Sequence, residues 1–223
     1  MPPTLVHAAF GVVLGAALLK SAYGRRALAV VGFAAALPDL DALLSVLVPG
    51  LHGAAFHTVL WPLALGGLLY LDARRDSPWL VARFGPHALR VAAVALLSWA
   101  LAGTGPDLFN LAAANPIWPL DSVFYSVTGK LEYTTTQGVV QTFYNYSPDG
   151  MYTHFVGQRA RSFCNPNAWN PTCVASPSGN VERISPLFQG GWQLLVVLAG
   201  VAVVAGRERV ARADDTRSRG GER

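Results

Sequence analysis

Long apolar blocks separated by short polar segments leave this chain few ways to fold. They run over roughly residues 4–19, 27–48, 54–71, 91–114 and 187–206. A helix needs about 20 predominantly apolar residues to cross the hydrocarbon of a bilayer. Charge agrees with that reading. Only 13% of the residues are charged, against roughly 25% in a soluble domain. The sequence therefore predicts an all-α polytopic membrane protein with about five transmembrane helices.

The net charge of +4 does not point to nucleic acid, because the basic residues are sorted by loop. Alternate loops hold Lys20, Arg25 and Arg26, then Arg74, Arg75, Arg83 and Arg90, then the six arginines that follow residue 206. Together these are thirteen of the seventeen lysines and arginines. The opposite loops hold only Lys130, Arg159, Arg161 and Arg183. Lysine and arginine mark the cytoplasmic side, so the N-terminus is expected outside and the C-terminus in the cytoplasm. Only an odd number of spans keeps this alternation. The first block has no basic leader and no small-residue cleavage site, so a removable signal peptide is not expected.

Four regions follow. Residues 1–114 form a four-helix membrane domain, 115–186 an extracytoplasmic loop domain, 187–206 a final span and 207–223 a basic cytoplasmic tail. The loop domain is polar, aromatic and rich in turn formers. Val123–Val127 and Leu131–Thr136 flank Thr128-Gly129-Lys130 and read as a hairpin, with Gly138–Tyr146 a further β-prone run. A small β-rich cap is the expectation. Cys164 and Cys173 both fall in this loop, where an oxidising compartment permits a disulfide.

The apolar blocks carry ionisable residues that need a reason to be there: His7, Asp39, Asp41, His57 and Asp107, with His52 in the turn between two blocks. Such groups at membrane depth are costly and suggest function. Their depths can be compared. His7 lies 13 residues from Lys20 and Asp39 13 from Arg26, while His57 lies 17 from Arg74 and Asp107 17 from Arg90. At 1.5 Å per residue these distances are about 20–25 Å. Four groups from four blocks thus share one layer, near the non-cytoplasmic surface. Histidine and aspartate converging in a polar pocket are what Zn²⁺ or another divalent ion binds. His7, Asp39, His57 and Asp107 are the expected ligands, with zinc the expected metal. Pro38 and Pro106 precede two of the aspartates, and proline frees a carbonyl and bends a helix. Asp39 and Asp41 lie on opposite sides of an ideal helix, so both face one ion only if the helix breaks there. Asp41 is a ligand or a group that orients one.

The order of these pieces resembles the LexA-regulated, inner-membrane-associated, metal-dependent hydrolase family. The matching segments are Leu5-Val6-His7-Ala8-Ala9-Phe10-Gly11, Pro38-Asp39-Leu40-Asp41, His52-Gly53-Ala54-Ala55-Phe56-His57-Thr58, Asp107-Leu108-Phe109 and Asn115-Pro116-Ile117-Trp118-Pro119-Leu120. The resemblance implies a helical membrane domain with a metal site and hydrolase activity, distantly similar to zinc-dependent phospholipases C. It also carries a departure. The family usually has a histidine four residues before the last aspartate, and Gly103 stands there.

Three functions compete. The first is a membrane-bound metal-dependent hydrolase acting on a phosphoester or lipid head group at the outer surface. In it Asp41 orients a ligand or takes a proton from water, and His52 is a ligand or a proton donor. The second is a non-catalytic scaffold with a degenerate metal site, which Gly103 favours. The third is a transporter or proton relay, which also uses buried Asp and His. The chain shows no internal repeat of the transporter kind.

Overall fold

The computed structural model describes residues 3–45, 47–48, 51–109, 114–121, 123–125, 127, 131–141, 144–147, 150–153, 158–159, 187–188 and 190–220, with backbone alone at 123 and over 141–159 and 211–220. Helices dominate. Helix α1 spans Thr4–Leu18 and α2 spans Arg25–Ala36. A 3₁₀ turn over Leu37–Leu40 then carries the chain into the short helix α3, Asp41–Leu44. Helix α4 covers Leu60–Ala73, α5 Trp79–Phe84 and α6 Ala88–Ser98. The last of these continues through a π-helical segment, Trp99–Thr104, into α7, Gly105–Leu108. Helix α8 spans Gly191–Gly220.

Two continuous helical stretches among the described residues are long and apolar enough to cross a membrane, Arg25–Leu44 and Ala88–Leu108. Thr4–Leu18 and Leu60–Ala73 are apolar but shorter. Large apolar side chains face outward along them, among them Phe33, Leu63, Leu68 and Leu71, each more than half exposed.

Helices α1 and α2 pack through small residues. A Cβ on Gly11 would come within 2.6 Å of Ala35 Cβ, and one on Gly32 within 3.2 Å of Val12 Cγ2. Close approach through glycine and alanine is how helices gain contact where lipid removes the hydrophobic drive. The apolar core of Leu19, Leu28, Val31 and Val94 lies at the basic end of α1, α2 and α6. The ionisable residues lie at the other end. Arg207 of α8 reaches Ala16 O at 3.3 Å and stacks over Tyr23, so the last helix is tied to the basic end as well.

Two expectations change. The third block was expected to be helical from residue 54, but its helix begins at Leu60. Residues 51–59 turn instead, because their backbone groups bond elsewhere. Gly53, Ala54 and Phe56 N–H donate to Asp41, Phe56 O accepts from Trp99 Nε1, and Val59 N–H donates to Pro116 O. His57 is therefore a turn residue and not a helical one.

The hairpin is also repartnered. Strand β1 (Val123–Phe124) pairs with β6 (Gln158–Arg159), β2 (Leu131–Thr134) with β3 (Gly138–Gln141), and β4 (Tyr144–Ser147) with β5 (Gly150–Thr153), all antiparallel. Leu131–Thr134 thus turns forward to pair, not back to 123–127. Gly138 supplies the reason: its φ of +70° closes the turn, and Thr134 Oγ1 accepts the Gln137 N–H at 2.9 Å. Thr128-Gly129-Lys130, Cys164 and Cys173 lie outside the described residues.

Candidate metal centre

On the side away from the basic core, four segments each contribute one polar group to a single buried cluster. His7 comes from the first turns of α1, Asp39 from the 3₁₀ turn, His57 from the turn before α4 and Asp107 from α7. His7 Nε2 lies 3.9 Å from Asp39 Oδ1 and 3.6 Å from Asp107 Oδ2. His57 Nε2 lies 3.8 Å from Asp39 Oδ1 and 2.9 Å from Asp107 Oδ2. His7, His57 and Asp107 are buried, while Asp39 keeps 13% of its side chain exposed and marks the way in.

The far nitrogen of each imidazole is committed. His7 Nδ1 donates to the carbonyl of Ala102 at 2.7 Å. A carbonyl can only accept, so the proton sits on Nδ1 and the neutral ring presents a lone pair at Nε2. The free carbonyl has a sequence cause. Ala102 is four residues before Pro106, and proline has no N–H to bond that carbonyl. His57 Nδ1 is committed in the same sense, donating to Asp41 Oδ2 at 2.8 Å. When that ring is neutral, its Nε2 also presents a lone pair.

Asp41 does not enter the cluster. Its buried carboxylate accepts from His57 Nδ1, from His52 Nδ1 at 2.9 Å and from the N–H groups of Gly53 and Ala54 at 3.1 and 3.2 Å. Asp39 and Asp41 thus face opposite ways, as the helical wheel requires, and the break into a 3₁₀ turn does not bring them together. His52, with 13% of its side chain exposed, is backed by Asp41 and keeps its Nε2 for other partners.

What remains is a concentration of acceptors. His7 Nε2, His57 Nε2, Asp39 Oδ2 and both carboxylate oxygens of Asp107 are buried without a hydrogen-bond partner. The 2.9 Å approach of His57 Nε2 to Asp107 brings two lone-pair atoms together when the ring is neutral. Leaving one buried polar atom unsatisfied costs about 1–3 kcal/mol, and more for a charge. Five together make a site whose cost a bound cation would offset. One atom each from His7, Asp39 and Asp107 lies within 4.8 Å of the others, close enough to hold a metal ion.

The profile of the YdjM inner membrane protein family matches residues 1–169, a stretch that takes in the whole cluster. The chain belongs to that family. Its location in a membrane follows. No match to a curated protein or to a solved structure was found.

Within this YdjM-family chain, the residues expected as ligands come together, and Asp41 and His52 form the layer behind them. Three supporting residues were not foreseen. Trp99 Nε1 bonds Phe56 O at 2.8 Å, Trp61 Nε1 bonds Ala55 O at 3.0 Å, and Asn115 takes Gly53 O through its backbone N–H at 2.7 Å. All three hold the histidine turn in place. For Asn115 a signal existed, a polar residue directly before Pro116. The two tryptophans sit in apolar runs and offered none.

Proposed function

We propose that this protein is a membrane-embedded, metal-dependent hydrolase that acts on a phosphoester, such as a lipid head group, at the non-cytoplasmic surface. The observation that carries the reading is the set of five buried acceptor atoms with no donor among them, backed by a partly exposed histidine on a carboxylate. The metal is zinc, held by His7, Asp39, His57 and Asp107. Nitrogen and oxygen ligands about 2.0–2.2 Å from Zn²⁺ give tetrahedral ligand–ligand edges of roughly 3.3–3.5 Å. The separations of 2.9, 3.6, 3.8 and 3.9 Å straddle that range. Bound there, a divalent ion supplies a Lewis acid for an ester oxygen and makes water a stronger acid.

The chain's own groups then divide the work. Asp41 keeps the His52 and His57 rings in their Nδ1–H tautomers, as a carboxylate behind a metal-ligating histidine does. Its oxygens are too fully engaged to take a proton from water. That leaves His52, partly exposed and backed by a carboxylate, as the group that exchanges protons with substrate or water. The lipid-facing surface and the arginine sorting support five spans with the N-terminus outside and the β-strand region on the outer face, beside the cluster.

A metal-free relay is the weaker reading. A doubly protonated His57 between Asp41 and Asp107 would satisfy Asp107 Oδ2. It would still leave His7 Nε2 and Asp39 Oδ2 without donors. The scaffold reading draws on Gly103. A Cβ there would stand 2.7 Å from Pro38 Cγ and 2.8 Å from Ala35 O, so that position has no room for a ligand. Metal analysis of the purified protein, followed by assay on bis(p-nitrophenyl) phosphate, separates the three. Metal with turnover supports the hydrolase, metal without turnover on this or lipid phosphodiesters supports a scaffold with a retained structural site, and failure to bind any divalent ion removes the hydrolase and leaves a relic site or the relay.

A further inference from the structure

The bundle end opposite the cluster carries a groove of different chemistry. Helix α4 runs from the histidine turn at its start to Asp72 at its close, so the groove at Asp72 lies a helix length of about 20 Å from the cluster. It opens between α4 and α6 under the short helix α5 and encloses about 490 Å³. Leu65, Leu68, Ala92 and Leu96 form its walls, and Arg75 and Trp79 stand on its rim.

The rim is positive in effect. Asp72 is occupied as the cap of α5: its carboxylate accepts Trp79 N–H at 2.8 Å and Leu80 N–H at 3.1 Å. These bonds, Leu80 foremost, hold its carboxyl below the usual range. Arg75 makes only a 3.7 Å approach to Asp72 and is 66% exposed, so most of its guanidinium is available. Trp79 is exposed too, and its indole N–H has no hydrogen-bond partner among the described residues. Arg74 and Arg83 add charge nearby, stacked on Tyr70 and Phe84.

We propose that this groove binds one anionic phospholipid of the adjacent leaflet. An acyl chain lies between α4 and α6, the phosphate meets Arg75, and the Trp79 indole N–H bonds the glycerol ester region. Basic pockets between membrane helices on the cytoplasmic side take anionic head groups, and tryptophan favours the same depth. The arginine sorting places this end on the cytoplasmic side. An apolar groove facing lipid is filled by the solvent around it, and here that solvent carries phosphate. A second copy packed by twofold symmetry would instead set two arginine rims face to face.

Native mass spectrometry of the full chain, released from membranes containing equal phosphatidylglycerol and phosphatidylcholine, tests this directly. The wild type should keep one phosphatidylglycerol in preference to phosphatidylcholine. Arg75→Gln should cut that retention about fivefold while leaving phosphatidylcholine unchanged, and Arg75→Lys should keep most of it. Leu68→Trp, which narrows the groove, should lower retention of both lipids, with helicity by circular dichroism confirming that the variant is folded. Equal retention of the two lipids, or retention that ignores both substitutions, overturns the proposal. So does a lipid-free dimer that Leu68→Trp dissociates, since the occupant would then be a second copy.

Discussion

His7 and His57 each use one ring nitrogen to hold the ring and leave the other to the cluster. Substitutions at the cluster and behind it should therefore read out differently. Asp39→Asn keeps the size of a ligand but weakens its charge. Metal content should fall sharply, thermal stability should fall with it because binding energy is also folding energy, and chelator should add little further loss. His87→Ala, at the start of α6 on the basic side, should change neither quantity. Under a relay the pattern reverses: Asn in place of a buried Asp removes a charge-burial cost, stability holds or rises, and chelator does nothing. Behind the cluster, Asp41→Asn should weaken metal affinity about 10–100-fold by releasing both imidazoles, measured by competition with a chromogenic chelator. His52→Ala should keep the metal and lose turnover by roughly 10²–10⁴-fold. If it loses metal instead, His52 is a ligand.

Elements meet at glycines here, and the space at each one differs. Gly103 in the π-helical segment lies against Pro38 and Ala35 of the Arg25–Leu44 stretch, while Gly66 on α4 has nothing within 4 Å of an added Cβ. Gly103→Ala should destabilise by about 1–3 kcal/mol, since backbone would have to move. Gly66→Ala should be neutral or stabilising by up to about 1 kcal/mol, because alanine is the better helix former. Paired thermal melts in one detergent decide it, and equal effects would mean that the crossing at Gly103 is looser than drawn. The same crossing carries Asp39 and Asp107, so metal content of Gly103→Ala should fall alongside its stability.

Across the whole chain, topology is the claim on which the side of the cluster depends. Single cysteines at Ser77 or Ser218, in a background without Cys164 and Cys173, should be protected from impermeant reagents in intact cells, and one at Ser178 should react. Labelling of Ser77 from outside would overturn the five-span arrangement and put the cluster and the lipid groove on the wrong faces. In the wild-type chain, Cys164 and Cys173 should be bridged, seen as a mass shift on reduction. Two alkylatable thiols in the unreduced, denatured protein would disprove the bridge.

Much of the cluster was legible because depth in a membrane is counted in residues. A rise of 1.5 Å per residue and a basic anchor on each block place His7, Asp39, His57 and Asp107 in one layer before any packing is known. Pro106 likewise announced a freed carbonyl by its chemistry. Counting cannot reach further, because it says how high a side chain sits and not where it points. That His57 sits in a turn, that Asp41 looks away from Asp39 to grip two imidazoles, and that Ala102 O is the carbonyl His7 takes were decided by tertiary packing. The pairing of Leu131–Thr134 with Gly138–Gln141 was instead set by the local turn at Gly138, since β-propensity favours a strand without choosing its partner. Around the cluster, backbone groups are spoken for by residues distant in sequence, among them Trp99 and Asn115, and no local pattern records such a bond.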